Sequence, residues 1–509
     1  MRTCNHISAA VTSPPPLRQW PGGISWRQPS RLQCSAARTR HDDLDNKGDN
    51  RLRQTAGIFQ PSIWGDFFLG YSNPAAASPQ QQIQMQEQVD KLREEVAKMI
   101  ASSTTTSSRL HLIDALERLC LDHLFEEEIS ATLAQIETAD VNVFVRFKDE
   151  EGGFLVDGPK DLLNLYNAAH MRTHGEIVLE EAMLFSQRRL ETMIPYMEGS
   201  LAHEIKSTLE IPLPRRVRIY ESKYYISEYE KDATVHEKML QLAKLNSNIM
   251  QLHHQHELAI ITRWWKDIQI ESRLPFARDR VVECYLWILG VYYEPCYSRG
   301  RIILTMIIAI VTLLDDIYDS YATPEECELL TKCIQSWDSK GAHDLPECMK
   351  FALEKILDSY ETIENMLHQE EKYRMPYLRY FTKDLVRSFN KEVKMLQEGY
   401  IPKSVEEHLK REQLIPHVAS TIDSYMKEHN VSIEVAREQI RVLKEESWKD
   451  FNNEWLNPAI AYPRQLLERI FNLTRTMEFM YNQEDNFTNY RNLKDLIQLL
   501  LAEPFTIPI

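Results

Sequence analysis

The chain has 509 residues, 15 of them glycine, and a formal net charge of −16 at pH 7. That length is enough for two or more domains, each with a sizeable core, and the acidity excludes nucleic acid, which needs a basic footprint. The eight cysteines are scattered without CxxC pairs, a usage that fits a reducing compartment and excludes a disulfide scaffold or a zinc ribbon.

From Met1 to about Arg40 there are six arginines, several serines, the run Pro14-Pro15-Pro16, and neither lysine nor acid. This composition is that of an organellar transit peptide and lacks the apolar core of a secretory signal. A leader in a cytosolic enzyme is the competing reading, so plastid and cytoplasm both stay open. His41 to Asn50 is a polar linker. Arg51 and Arg53 precede Trp64, an anchoring aromatic.

Helical periodicity predicts helices over Gln81 to Ile100, Leu112 to Glu137 and from Gly158 onward, where Leu162 to Glu176 has apolar residues at helical intervals. With few glycines, no strand rhythm and many Leu, Glu, Lys and Gln, the chain reads as all-α. Pro212-Leu213-Pro214 punctuates the passage to a second half. There, His253, His254 and His256 lack carboxylate or cysteine company, and are predicted to be solvated helix residues with no metal role. Trp264 and Trp265 are read as packing residues.

Pro275-Phe276-Ala277-Arg278-Asp279-Arg280 offers two arginines that can serve one anion from a loop. Trp287 follows two helical turns later, with a π face that can stabilise a cation. Ile302 to Leu314 is apolar all round except Thr305 and Thr312, which predicts a buried helix too short to cross a membrane. The helix runs into Asp315, Asp316 and Asp319. Three carboxylates crowd one rim, with Asp315 and Asp319 on one face, and such crowding favours a hard divalent cation, Mg²⁺ or Mn²⁺, completed by water and phosphate oxygens. Solvated acids at a helix end are the bland alternative. Further amphipathic helices are predicted over Glu347 to Gln369, Met375 to Glu398 and Ser432 to Glu446.

ARDRVVECYLW at Ala277 to Trp287, YSRGRIILT at Tyr297 to Thr305, LLDDIYDSYAT at Leu313 to Thr323, WKDFNNEWL at Trp448 to Leu456 and PSIWGDFF at Pro61 to Phe68 together resemble the plant terpene synthases, over Arg51 to Ile509. The sesquiterpene branch of grasses is the most similar. The resemblance implies two domains: an N-terminal α-barrel over residues 51–225 and a class I α-bundle over residues 226–509. It implies a monomer that ionises farnesyl diphosphate, the metal held by Asp315, Asp316 and Asp319, the diphosphate met by Arg278 and Arg280, and the cation folded in a dry aromatic pocket with Trp287. Tyr481 and Asp485 resemble the polar pair of the family's closing loop. Plastidial use of geranyl diphosphate and a silent isoform are the alternatives; a chain-elongating prenyltransferase is disfavoured by the N-terminal domain.

Three departures stand out. The arginine pair expected eight residues before Trp64 is replaced by Gln54 and Thr55. Near residue 140 a helix of the family is missing, which is expected to expose apolar neighbours and weaken that domain. Near residue 410 the helices that carry the second metal motif are missing, leaving Glu412 as its last member; the chain is therefore expected to be catalytically impaired.

Overall fold

The computed structural model describes residues 61–72, 79–136, 154–231, 235–397, 421–457 and 462–507. Among these residues there is no β-strand, in agreement with the all-α reading. The leader, the Arg51 to Thr55 segment, the departure near residue 140 and Glu412 lie outside the described residues. In chain order the helices are α1 Pro79–Ser102, α2 Thr106–Arg118, α3 Glu126–Ile136, α4 Pro159–Ala169, α5 Ile177–Met193, α6 Ser200–Glu210, α7 Arg218–Tyr229, α8 Glu237–Asp267, α9 Ile270–Arg273, α10 Val281–Val291, α11 Ser298–Asp316, α12 Pro324–Ser336, α13 Glu347–Met366, α14 Met375–Gln397, α15 Thr421–His429, α16 Ile433–Leu456, α17 Arg464–Tyr481 and α18 Lys494–Leu501.

The residues group into two compact units. The first takes in Trp265–Asp279 and Glu294–Arg437; the second takes in Ile63–Trp264, Arg280–Tyr293 and Glu438–Ile509.

In the first unit the apolar run behaves as expected. No residue from Arg301 to Tyr321 is exposed, because a helix without a polar face gains most when apolar neighbours cover it on every side. Beyond Asp316 the chain makes one π-type turn, Ile317–Tyr321, closed by the Ala322 N–H donating to the Ile317 carbonyl at 2.9 Å. Thr323 then starts α12 with a reciprocal capping box to Glu326, and Pro324 occupies the first helical position. Both features end the preceding turn and restart the helix at a fixed point.

In the second unit Val96, Leu116, Phe125, Met239 and Leu242 form one buried cluster, and Leu162, Ala169, Ala182, Leu190 and Ile205 another. The expected single helix over Leu112 to Glu137 is instead α2 and α3, broken where Cys120 takes a left-handed backbone at φ 53°. Leu121 and Phe125 are fully buried in the connection, and this burial outweighs the helical propensity of the stretch. Likewise α4 stops at Ala169, where the His170 ring meets the Tyr166 carbonyl at 2.9 Å. Gly290 in α10 is required by close approach to α17: a Cβ there would stand 2.5 Å from Thr476 Oγ1. Leu155, Ile177 and Leu184 are exposed.

His254 corrects one expectation. It is buried at 3% exposure on α8, edge-on to Tyr285, while His253 and His256 are solvated. Helix α8 is covered on more than one side, so the histidine facing inward is packed.

Glu445 on α16 binds two buried arginines, accepting from Arg215 at 2.6 and 2.7 Å and from Arg172 at 3.2 Å. The hydrogen bond and charge of Arg215 outweigh burial and pull its carboxyl down to about 2, while burial drives His170 down to about 3. Both shifts act in one direction. The unfolded chain takes up the protons first, so stability present at neutral pH is lost as pH falls, from about 6.5 through 3 for His170 and from about 4.5 through 2 for Glu445. We expect Glu445→Gln to cost about 1–2 kcal/mol, because two buried arginines lose their counter-charge while the partly exposed carboxylate is screened by solvent, and the melting temperature of the unaltered protein to drop below about pH 6.5; thermal melts across pH check both.

Candidate functional site

The aspartate rim of the first unit is not a solvated helix end. Asp316 is 2% exposed and both its oxygens are engaged by one residue: the Arg278 backbone N–H donates to Oδ2 and Arg278 Nε to Oδ1, each at 2.7 Å. Arg278 Nη2 donates to Asp315 Oδ2 at 2.7 Å. Burial pushes the Asp316 carboxyl up from its ordinary value, and the guanidinium and N–H of Arg278 oppose that rise. A carboxylate so enclosed persists only because its partner is charged and well aligned. Asp319 lies in the π-type turn, where the wider winding rotates it away from the α-helical register assumed from sequence; such turns recur at functional sites.

The loop carrying Arg278 is irregular, as Pro275 predicts, and is fixed at both ends. Phe276 stacks on Tyr321 with ring centroids 3.9 Å apart, and the Trp265 indole N–H donates to Asp279 Oδ1 at 2.8 Å. Sequence reasoning gave Trp265 a packing role and assigned no positioning role to Phe276, Asp279 or Tyr321. It also passed over Glu392, a carboxylate 3% exposed on α14, whose helix packs against the π-type turn through Phe389 and Tyr318. Its signal was an acid on the same inward side as Val386 and Phe389.

In the second unit Arg280 is buried with its guanidinium carbon 3.7 Å from the Tyr490 ring centre. Trp287 meets Tyr481 and Phe487 edge to face at 5.8 and 5.7 Å. Its indole N–H is buried and has no hydrogen-bond partner among the described residues. Asp485 Oδ1 accepts from the backbone N–H groups of Phe487 and Thr488, both at 3.0 Å, so this carboxylate shapes the turn that holds Phe487 against Trp287. Trp64 donates to the buried Glu283 at 3.1 Å, which fits the anchoring reading.

Among the described residues no three His, Cys, Asp or Glu side chains are grouped to hold a metal ion. Mg²⁺ needs no such cage, since one or two carboxylates with water and phosphate oxygens complete its shell. Asp315 and Asp319 carry oxygen donors of the type Mg²⁺ takes, whereas both oxygens of Asp316 are engaged by Arg278.

Residues 266–412 and 408–450 match the family described as terpene synthase family, metal binding domain, and residues 63–142 and 138–209 match terpene synthase, N-terminal domain. Each match falls into two overlapping pieces, meeting near residues 140 and 410. A chloroplastic alpha-terpineol synthase from Zea mays is 47% identical over 545 residues, covering 90% of this chain and 87% of the relative. That span exceeds the length of this chain, so the relative carries residues this chain lacks. A beta-sesquiphellandrene synthase from Sorghum bicolor is 36% identical, covering 88% and 96%. Isoprene synthase from grey poplar, Populus x canescens, solved with three Mg²⁺ ions and dimethylallyl-S-thiolodiphosphate, superposes with TM-score 0.74 at 25% identity, covering 83% of this chain and 97% of that one.

Proposed function

This chain belongs to the terpene synthase family, a family of lyases, and from that premise we propose that it ionises an allylic prenyl diphosphate with a divalent metal, geranyl diphosphate being its first substrate. The observation that carries the substrate reading is the step from 47% identity with a monoterpene-type enzyme to 36% with a sesquiterpene one. Farnesyl diphosphate is the second reading, favoured by the number of sesquiterpene relatives. Incubating both diphosphates at equal concentration with the purified protein decides between them: a higher kcat/KM for geranyl diphosphate supports the first reading, and the reverse order replaces it with the second.

Arg278 and the carboxylates define the chemistry. Mg²⁺, held by Asp315 and Asp319, would polarise the leaving diphosphate when bound. Asp316 fixes Arg278 through two hydrogen bonds, leaving Nη2 of the guanidinium to exchange Asp315 for a diphosphate oxygen. A preorganised cation aimed at developing negative charge lowers the barrier without reorganising at the moment of reaction. Arg280 is proposed as a second diphosphate ligand. Trp287 and Tyr481 are proposed as aromatic faces for the allylic cation, with Asp485 acting on the same loop. The domain limits proposed are 51–225 and 226–509, supported by family matches that end at 209 and begin at 266.

Plastid targeting by the leader is part of this proposal, supported by the chloroplastic relative. Residues 1 to about 40 fused to a fluorescent protein are expected to place it in plastids; diffuse cytosolic signal would remove this support for the geranyl reading.

A further inference from the structure

The outward face of α14 carries a surface that catalysis does not use. Tyr377, Tyr380 and Phe381 are 54%, 58% and 63% exposed, and Tyr373, in the turn Gln369–Arg374 just before, is 54% exposed. Steps of four, three and one residues place them along one helix side, and the Tyr380 and Phe381 rings are 5.6 Å apart. The opposite side is committed inward, with Met375, Val386 and Phe389 buried. Four exposed aromatics on one helix side form a larger apolar patch than the scattered apolar residues of an ordinary exterior.

The helix itself is locally basic. Lys372 to Lys394 holds seven basic residues against two acids, in a protein of net charge −16. One of those acids, Glu392, is buried, so it takes no part in the surface charge. Arg374, Arg379, Arg387 and Lys394 are ion-paired, to Glu371, Glu364, Asp384 and Glu328, so the basic excess of this face rests on Lys372, Lys383 and Lys391. No helix of the described residues can cross a membrane.

We propose that this face of α14 docks flat on an anionic lipid surface. Tyrosine and phenylalanine settle at the boundary between headgroups and acyl chains. The basic residues around them are drawn to anionic headgroups, while the acidic remainder of the molecule is repelled and orients this face downward. A second copy of the chain is the weaker occupant, because a two-fold contact would set the basic face against itself.

The test is co-sedimentation of the full chain with vesicles of phosphatidylglycerol and phosphatidylcholine, beside vesicles of phosphatidylcholine alone. Binding is expected on the anionic vesicles only, and to be lost at high salt. Tyr377→Ser/Tyr380→Ser/Phe381→Ser is expected to lower the partition coefficient by about tenfold or more, as is Arg387→Glu/Lys391→Glu. All five side chains are exposed, so melts of both variants should match the parent. Equal binding to both vesicle types, or unchanged binding in both variants, would overturn the proposal. So would a dimer in sedimentation velocity that the aromatic variant dissociates, which would assign the face to a second copy. Binding is read without turnover, so this result stands apart from the catalytic reading.

Discussion

Asp315→Ala is expected to reduce diphosphate release from a prenyl diphosphate by about a hundredfold or more, the usual cost of removing one well-placed electrostatic contact from a transition state. The geometry makes this a test of chemistry more than of folding. Arg278 loses its bond from Nη2 to Asp315 but keeps both bonds to Asp316, so the loop stays in place. Asp315 is also less enclosed than Asp316, with a side chain 14% against 2% exposed. Asp316→Asn should behave differently, loosening Arg278 and lowering the melting temperature together with turnover. Release at the parent rate in an Asp315→Ala protein of unchanged circular dichroism would remove Asp315 from the metal site.

The second large effect concerns the segment around residue 410. The metal-binding family match splits into two pieces that overlap at residues 408–412, and we propose that a segment carrying a second metal motif is missing there, with Glu412 as the last member of that motif. On that proposal Asp315 and Asp319 act without the carboxylates that the missing segment would supply. We propose that cations formed by this chain are captured early by water, because the enclosure that excludes it is incomplete. Inserting the corresponding segment of a relative between Lys410 and Arg411 is expected to raise the yield of cyclic products by about tenfold or more. Equal cyclic yield from both proteins, by gas chromatography of the extracts, would show that the chain needs no such segment.

The buried run Ile302 to Leu314 was legible because it leaves no polar side for water, whatever its neighbours. The Arg278 loop was legible from Pro275. The separate task of Asp316 was not: three aspartates are alike by type, and only the fold decides which one turns to Arg278. The π-type turn was hidden because Ile-Tyr-Asp-Ser-Tyr satisfies an α-helical pattern equally well. The tethers Phe276 to Tyr321 and Trp265 to Asp279 join residues that periodicity treats as plain core. The break at Cys120 carries neither glycine nor proline, and arises from burying Leu121 and Phe125. Burial of His254 has the same origin, in the covering of α8 from several sides.

Ionisation of a prenyl diphosphate by Asp315, Asp319 and Arg278 with a divalent metal is read out by counting inorganic diphosphate. Purified protein is incubated with geranyl diphosphate in Mg²⁺ and again with the metal chelated. Release that requires Mg²⁺, accompanied by terpene alcohols or hydrocarbons in the organic extract, is the predicted result. A folded protein that releases no diphosphate from geranyl or farnesyl diphosphate in Mg²⁺, or releases it equally after chelation, would contradict the account.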